Sequence, residues 1–163
     1  MVEIITVDIE KPEEVNLILG TSHFIKTVDD VFGALADSAP GIKFGLAFCE
    51  ASGPRLIRKA GNEPSLVELA VKNAQKIGAG HSFIIFMKNG YPINVLPRLR
   101  QISELVTLWA ATANPLQVII AETKNGRGIM GVIDGGSPLG VEDKKEAKAR
   151  KDFLVKVGYK PHS

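Results

Sequence analysis

Asn125-Gly126 sits between two strand-like runs, Leu116 to Thr123 and Gly128 to Asp134, and that arrangement leaves this chain little freedom. Asparagine and glycine both enter the left-handed backbone region that a tight hairpin turn demands, so the two runs should fold back on one another as antiparallel neighbours. Asn89-Gly90 closes another apolar run, His81 to Met87, with the same turn chemistry. A chain punctuated like this builds its sheet from hairpins rather than from repeated strand–helix–strand units.

Between the strand-like runs the apolar spacing changes to that of helices. Thr27, Asp29 and Asp30 offer an N-cap hydroxyl and first-turn carboxylates, and Val28, Val31, Phe32 and Leu35 carry a helix to about Ser38, where Pro40-Gly41 stops it. Pro64 suits the first turn of a helix over 64–77, whose apolar face is Leu66, Val67, Ala70, Val71, Ala74 and Ile77. Leu99, Ile102, Leu105, Val106 and Trp109 predict a third helix from Arg98 to Ala113, ended by Asn114-Pro115. A last amphipathic segment, 141–156, predicts a helix packed on the sheet through Ala147, Phe153, Leu154 and Val157. The runs Val2 to Ile9, Val15 to Leu19 and Ile42 to Glu50 complete the set of strand candidates. The expectation is an α+β fold, a single domain across 1–163, with a mixed or largely antiparallel sheet covered by three to four helices.

Composition enters where it excludes. With 163 residues, 45% hydrophobic and 23% charged, the chain has the make-up of one folded domain, and no repeat, low-complexity tract or linker divides it. Its longest apolar runs, such as Phe83 to Met87 and Val118 to Ala121, fall far short of a membrane span. The N-terminus lacks a basic start followed by an apolar stretch, and the single cysteine, Cys49, has no partner for an internal disulfide. A cytoplasmic location is the expectation. The net charge of +2 does not call for a nucleic-acid partner. Lys144, Lys145, Lys148, Arg150 and Lys151, interrupted by Glu146, read as a solvated helix face.

Gly126-Arg127-Gly128-Ile129-Met130-Gly131 satisfies the letters GxGxxG, but the residues that follow are strand-like, so no helix N-terminus waits to receive a pyrophosphate. A Walker A loop is missing too. His23, His81 and His162 are far apart, and none has a second metal ligand three or four residues away. Magnesium remains open through the oxygens of Glu50, Glu122 and Asp134, if folding gathers them.

The remaining signals are polar residues in apolar or glycine-rich surroundings. His23 precedes a helix start, where backbone N–H groups favour an anion and Lys26 adds charge. His81 follows Gly78-Ala79-Gly80 at the mouth of a hydrophobic strand. For each histidine the alternative is a hydrogen-bonded structural role. Glu50 and Glu122 occupy strand exits, where a carboxylate faces either a ligand or solvent, and Ser52 lies in the loop just beyond Glu50. Arg127, between two glycines, is either a phosphate clamp or a solvent-facing turn residue.

In the blocks HFIKTVDD (23–30), FCEASGPRLIRKAGN (48–62), AGHSFIIF (79–86), PINVLPRL (92–99), ATANPLQVIIAE (111–122) and GRGIMGVIDG (126–135) the sequence resembles the adenosine-specific kinase family. The blocks follow the family's order and cover nearly the whole chain. The resemblance implies a small α+β protein that binds adenosine and AMP, self-associates into a homo-oligomer, and carries a phosphorylated histidine. His23 is the first choice for that residue and His81 the second. Glu50 or Glu122 would hold the imidazole's other nitrogen, and Lys26, Arg127 and the helix start near Thr27 would neutralise the phosphate. Two functions follow from it: phosphoryl transfer through the histidine, or an adenosine- or AMP-responsive oligomeric sensor whose phosphohistidine does not turn over.

Overall fold

The computed structural model describes residues 1–159. Four helices and eight strands follow one another as β1 (Glu3–Asp8), β2 (Asn16–Ser22), α1 (Thr27–Ala36), β3 (Lys43–Cys49), β4 (Ile57–Gly61), α2 (Pro64–Ile77), β5 (Ser82–Lys88), α3 (Pro92–Leu99), β6 (Leu105–Thr112), β7 (Leu116–Thr123), β8 (Gly126–Asp134) and α4 (Lys144–Lys156). The fold is α+β, and every strand pairing is antiparallel. The strands divide between two sheets, one ordered β4-β3-β5-β2-β6 and the other β1-β7-β8.

The larger sheet is buried on both faces. Side chains alternate across a strand, so Phe44, Leu46 and Phe48 of β3 and Phe83, Ile85 and Met87 of β5 point to one side, where Val31 and Leu35 of α1 and Val95 and Leu99 of α3 meet them. Ala47 and Cys49 of β3 and Ile84 and Phe86 of β5 point to the other side, where α2 contributes Leu66, Ala70, Ala74 and Ile77 and the smaller sheet contributes Val7, Leu116, Val118 and Ile120. Each fully buried Phe, Leu or Ile in this sandwich stabilises it by about 1.5–3 kcal/mol. Gly45 allows α2 to lie this close, because a Cβ there would run into the backbone of Leu66 and Val67.

The hairpin around Asn125-Gly126 forms as expected, with Thr123 paired to Gly126, and the second helix runs over 64–77 with Pro64 at its start. The sequence-based expectation fails at three places. The segment Arg98 to Ala113 is not one helix: α3 begins earlier, at Pro92, and ends at Leu99, while the residues from Leu105 onward form β6 on the free side of β2. Thr27 does not cap α1 as its N-cap; it is the first helical residue, and its hydroxyl bonds to the Phe24 carbonyl at 2.6 Å. The final helix forms but does not pack on the sheet, for α4 buries none of its residues and Phe153 is 60% exposed. A fourth difference is β4, whose sequence IRKAG carries little strand signal and which exists through its pairing with β3.

Candidate functional site

β2 and β5 run antiparallel with Thr21 opposite Ser82, so the end of one strand meets the beginning of the other. That register brings His23, just past β2, beside His81, just before β5. Their ring centroids lie 6.3 Å apart with the planes nearly perpendicular, at 89°. His81 in turn stacks on Phe48, with centroids 5.9 Å apart and planes 20° from parallel.

Backbone hydrogen bonds fix both residues. The His81 N–H donates to the Cys49 carbonyl at 2.7 Å, and its carbonyl accepts from the Ser22 N–H at 2.9 Å. These bonds hold His81 at φ 66°, a left-handed conformation that histidine enters more readily than most residues. The His23 N–H donates to the Glu104 carbonyl at 2.8 Å. Beneath it the Ser22 and Thr27 hydroxyls lie 2.5 Å apart, with the carbonyls of Glu104 and Phe24 as their backbone acceptors. This buried knot sets the turn from Ser22 to Thr27. His23 stands exposed on it, while His81 is half-buried.

The start of α1 is not an open anion site. The N–H groups of Thr27, Val28, Asp29 and Asp30 already donate to the carbonyls of Phe24, Ile25 and Lys26, which satisfies the donors a helix N-terminus would otherwise present. Lys26 is paired as well, with Asp30 at 3.2 Å.

Sequence reasoning missed Glu104. Its side chain is buried, its Oε1 has no hydrogen-bond partner, and its Oε2 accepts weakly from the Ser103 hydroxyl at 3.4 Å. Burial, and then the neighbouring Asp30 carboxylate, push its carboxyl above the ordinary carboxylate range, and nearby Lys26 offsets only part of this. The one signal in the sequence is a glutamate opening an apolar run that begins at Leu105.

Glu50 and Arg127 belong to a neighbouring group. They line a cleft of about 770 Å³ together with Arg55, Gln75, Gly78 and Gly80, a size suited to a small ligand. Gly80, one of the residues lining the cleft, directly precedes His81 in the chain, while neither histidine lines the cleft itself. Glu50 accepts from the Leu56 N–H at 3.0 Å and from Arg58 Nε at 2.7 Å, and these contacts hold its carboxyl below the ordinary range. Arg127 faces Glu122 across β7 and β8, donating from Nε at 3.0 Å, and also donates to the Lys76 carbonyl at the end of α2 at 3.0 Å. It therefore closes the C-terminal end of a helix, a second role for a residue read as a phosphate clamp. Ser52 is exposed in the loop after β3, beside Arg55, whose φ is 52°.

Asp134 lies elsewhere. It accepts from the Thr112 hydroxyl at 2.8 Å and from Asn114 Nδ2 at 3.1 Å, eight residues along β8 from Gly126 and so roughly 26 Å from the hairpin turn. Glu50, Glu122 and Asp134 thus do not gather as a magnesium site, because each is engaged by a different partner. Among the described residues no three His, Cys, Asp or Glu side chains come together to hold a metal. His162 lies outside the described residues. The GxGxxG letters fall within β8 and present a strand, not a helix N-terminus. The basic run lies on α4, where Lys148 pairs with Asp152 and Arg150 with Glu142. Among the described residues no helix is long and apolar enough to cross a membrane.

Comparison with known proteins bears on this geometry. The model of the adenosine specific kinase family matches residues 7–160. The crystal structure of PH1918 protein from Pyrococcus horikoshii OT3 is similar, with a TM-score of 0.94 and 48% sequence identity over 99% of this chain and 100% of that chain. No curated protein matches.

Proposed function

Because the chain belongs to the adenosine-specific kinase family, we propose that it binds adenosine or AMP in the cleft lined by Glu50 and Arg127 and passes a phosphoryl group through His23. The observation that carries the reading is the pair of rings 6.3 Å apart, one exposed and one stacked on Phe48, on a backbone pinned from both sides. An exposed neutral imidazole is a competent nucleophile near neutral pH. Its nitrogen lone pair attacks the phosphorus of a phosphorylated donor, the bond to the donor's leaving oxygen breaks, and phosphohistidine results. A hydroxyl of adenosine then takes the phosphoryl group, the P–N bond breaks, and a nearby base receives the hydroxyl proton. His81 backs the His23 ring edge-on, and Phe48 limits how far His81 can swing.

A second reading draws on the ion pairs. Lys26 and Arg127, the cations suited to stabilise a moving phosphoryl group, are engaged with Asp30 and Glu122. A site whose cations are already engaged lowers the transfer barrier less, which favours a homo-oligomeric sensor that responds to adenosine or AMP and keeps its phosphohistidine.

Intact mass of the purified protein, followed by peptide mapping under alkaline conditions with and without adenosine, tests both. Phosphate on His23 that adenosine discharges, with AMP formed and with both lost in His23→Ala while binding persists, is the outcome for transfer. Phosphate that adenosine leaves in place is the outcome for the sensor. Adenosine binding with no phosphate on either histidine would sink both.

A further inference from the structure

Glu104 is a buried ionisable group that the proposed chemistry leaves unused. It is 8% exposed, and among the described residues its Oε1 meets no hydrogen-bond donor. A carboxylate only accepts, so in that form this oxygen would stay buried and unsatisfied, an arrangement folded proteins seldom keep. A neutral carboxyl answers the problem, because its O–H can donate to a neighbouring acceptor. The acceptor at hand is the Asp30 carboxylate, which meets the Glu104 side chain from the first turn of α1.

Few other charges surround the pair. Lys26, in the turn before α1, pairs with Asp30 at 3.2 Å and is the cation that acts on Glu104. The Ser103 hydroxyl reaches Oε2 at 3.4 Å. The groove lined by Asp30 and Ser103 also holds Asp29, Asp37 and Arg98, and Arg98 pairs with Asp37 at 3.5 Å. Two carboxyls therefore share one lysine, and with both ionised they would repel.

The backbone of the same residue holds the histidine. The Glu104 carbonyl accepts from the His23 N–H at 2.8 Å and from the Ser22 hydroxyl at 3.1 Å. The turn from Ser22 to Thr27 thus begins at the Glu104 carbonyl and ends in the helix that carries Asp30. One residue touches both ends of it, by its main chain at the start and by its side chain at the helix.

We propose that Glu104 is the positioning residue of His23: as a neutral acid it donates its proton to the Asp30 carboxylate, clasping the segment ahead of β6 to α1, and His23 keeps its backbone anchor while that clasp is closed. Ionisation releases the proton to solvent, removes the donor and sets two carboxylates against each other. The segment then parts from α1, and the carbonyl that holds His23 moves with it. The functional weight of the clasp rests on the reading of His23 as the residue that carries the phosphoryl group.

Hydrogen exchange at the His23 amide, followed by NMR from acid to neutral pH, tests the clasp without any phosphate on the protein. Because opening exposes a carboxyl of ordinary acidity, protection of this amide in the parent should fall by up to about tenfold for each pH unit above 4.5 and level off beyond the folded value. In Glu104→Gln, whose amide N–H can still donate to Asp30 but cannot ionise, protection should hold steady across the same range. Low urea should leave the His23 protection unchanged while lowering that of the β5 amides, the mark of a local opening. A flat profile in the parent, an equal fall in Glu104→Gln, or a His23 amide that follows the β5 amides in urea would each overturn the proposal. Phosphate mapping that finds none on His23 would remove the transfer reading and leave the exchange profile as it stands, so the two failures can be told apart.

Discussion

β5 and β6 flank the same strand, β2, one on each side, and differ in almost everything else. In β5 six consecutive residues, Ser82 to Met87, are buried, because α1 and α3 cover one face and α2 with the smaller sheet covers the other. β6 is the edge of the sheet, most of its residues are half-buried, and Val106 is 64% exposed. The difference teaches where this fold keeps its stability and where it has freedom to place function. The inner strand holds the structure together and delivers His81 from its fixed end, while the segment entering the edge strand supplies the Glu104 carbonyl that holds His23.

The widest gap between the two strands should appear in cores emptied by mutation. Phe86→Ala removes a fully buried ring and should cost about 3–5 kcal/mol, seen as a lower urea midpoint with an unchanged slope. The edge has its own vulnerability at Glu104. The folded protein holds this carboxyl's proton to a higher pH than the unfolded chain does. The resulting stability is fully present below the ordinary value of 4.5 and is lost as pH rises through the folded value. Urea midpoints of the parent and Glu104→Gln should therefore move in the variant's favour as pH climbs from acid to neutral, and parallel profiles would contradict the burial of an ionising group there. A smaller effect ties β6 to β2. The Trp109 indole donates to the Thr21 hydroxyl at 3.0 Å, so Thr21→Val should cost about 1 kcal/mol and shift the emission of the single tryptophan. Smallest of all, Val106→Ala should change stability by no more than about 0.5 kcal/mol. If it cost as much as Phe86→Ala, the contrast between inner and edge strand would be wrong.

The same contrast explains what could be read in advance. Strands covered on both faces leave unbroken apolar runs, and Phe44 to Cys49 and Phe83 to Met87 were legible for that reason. The hairpin β7–β8 and helix α2 were legible through Asn125-Gly126 and Pro64. β6 was not, since Leu99, Ile102, Leu105, Val106 and Trp109 keep helical spacing across the real boundary after Leu99; the edge position on β2 overrode that local pattern. α4 was placed correctly along the chain but not in space, because Phe153 and Val157 advertise an apolar face without saying whose surface it meets. At the site, single residues such as His23 and His81 could be picked out by their surroundings. Their meeting could not, because 58 positions of sequence separate them and only the register Thr21–Ser82 joins them. Arg127 shows the opposite failure: its chemistry suited a phosphate, but the carbonyls at the end of α2 and the Glu122 carboxylate reach it first within the fold.

The pairing of β1 with β7, Val7 against Val118, also has a consequence for the newborn chain. β1 leaves the ribosome more than a hundred residues before its partner, and at ordinary elongation rates of about 5–20 residues per second it waits on the order of 5–20 s. During that time Ile4, Ile5 and Val7 have no strand to pair with. The protein's smaller sheet is thus completed only late in synthesis, once β7 has emerged to pair with β1.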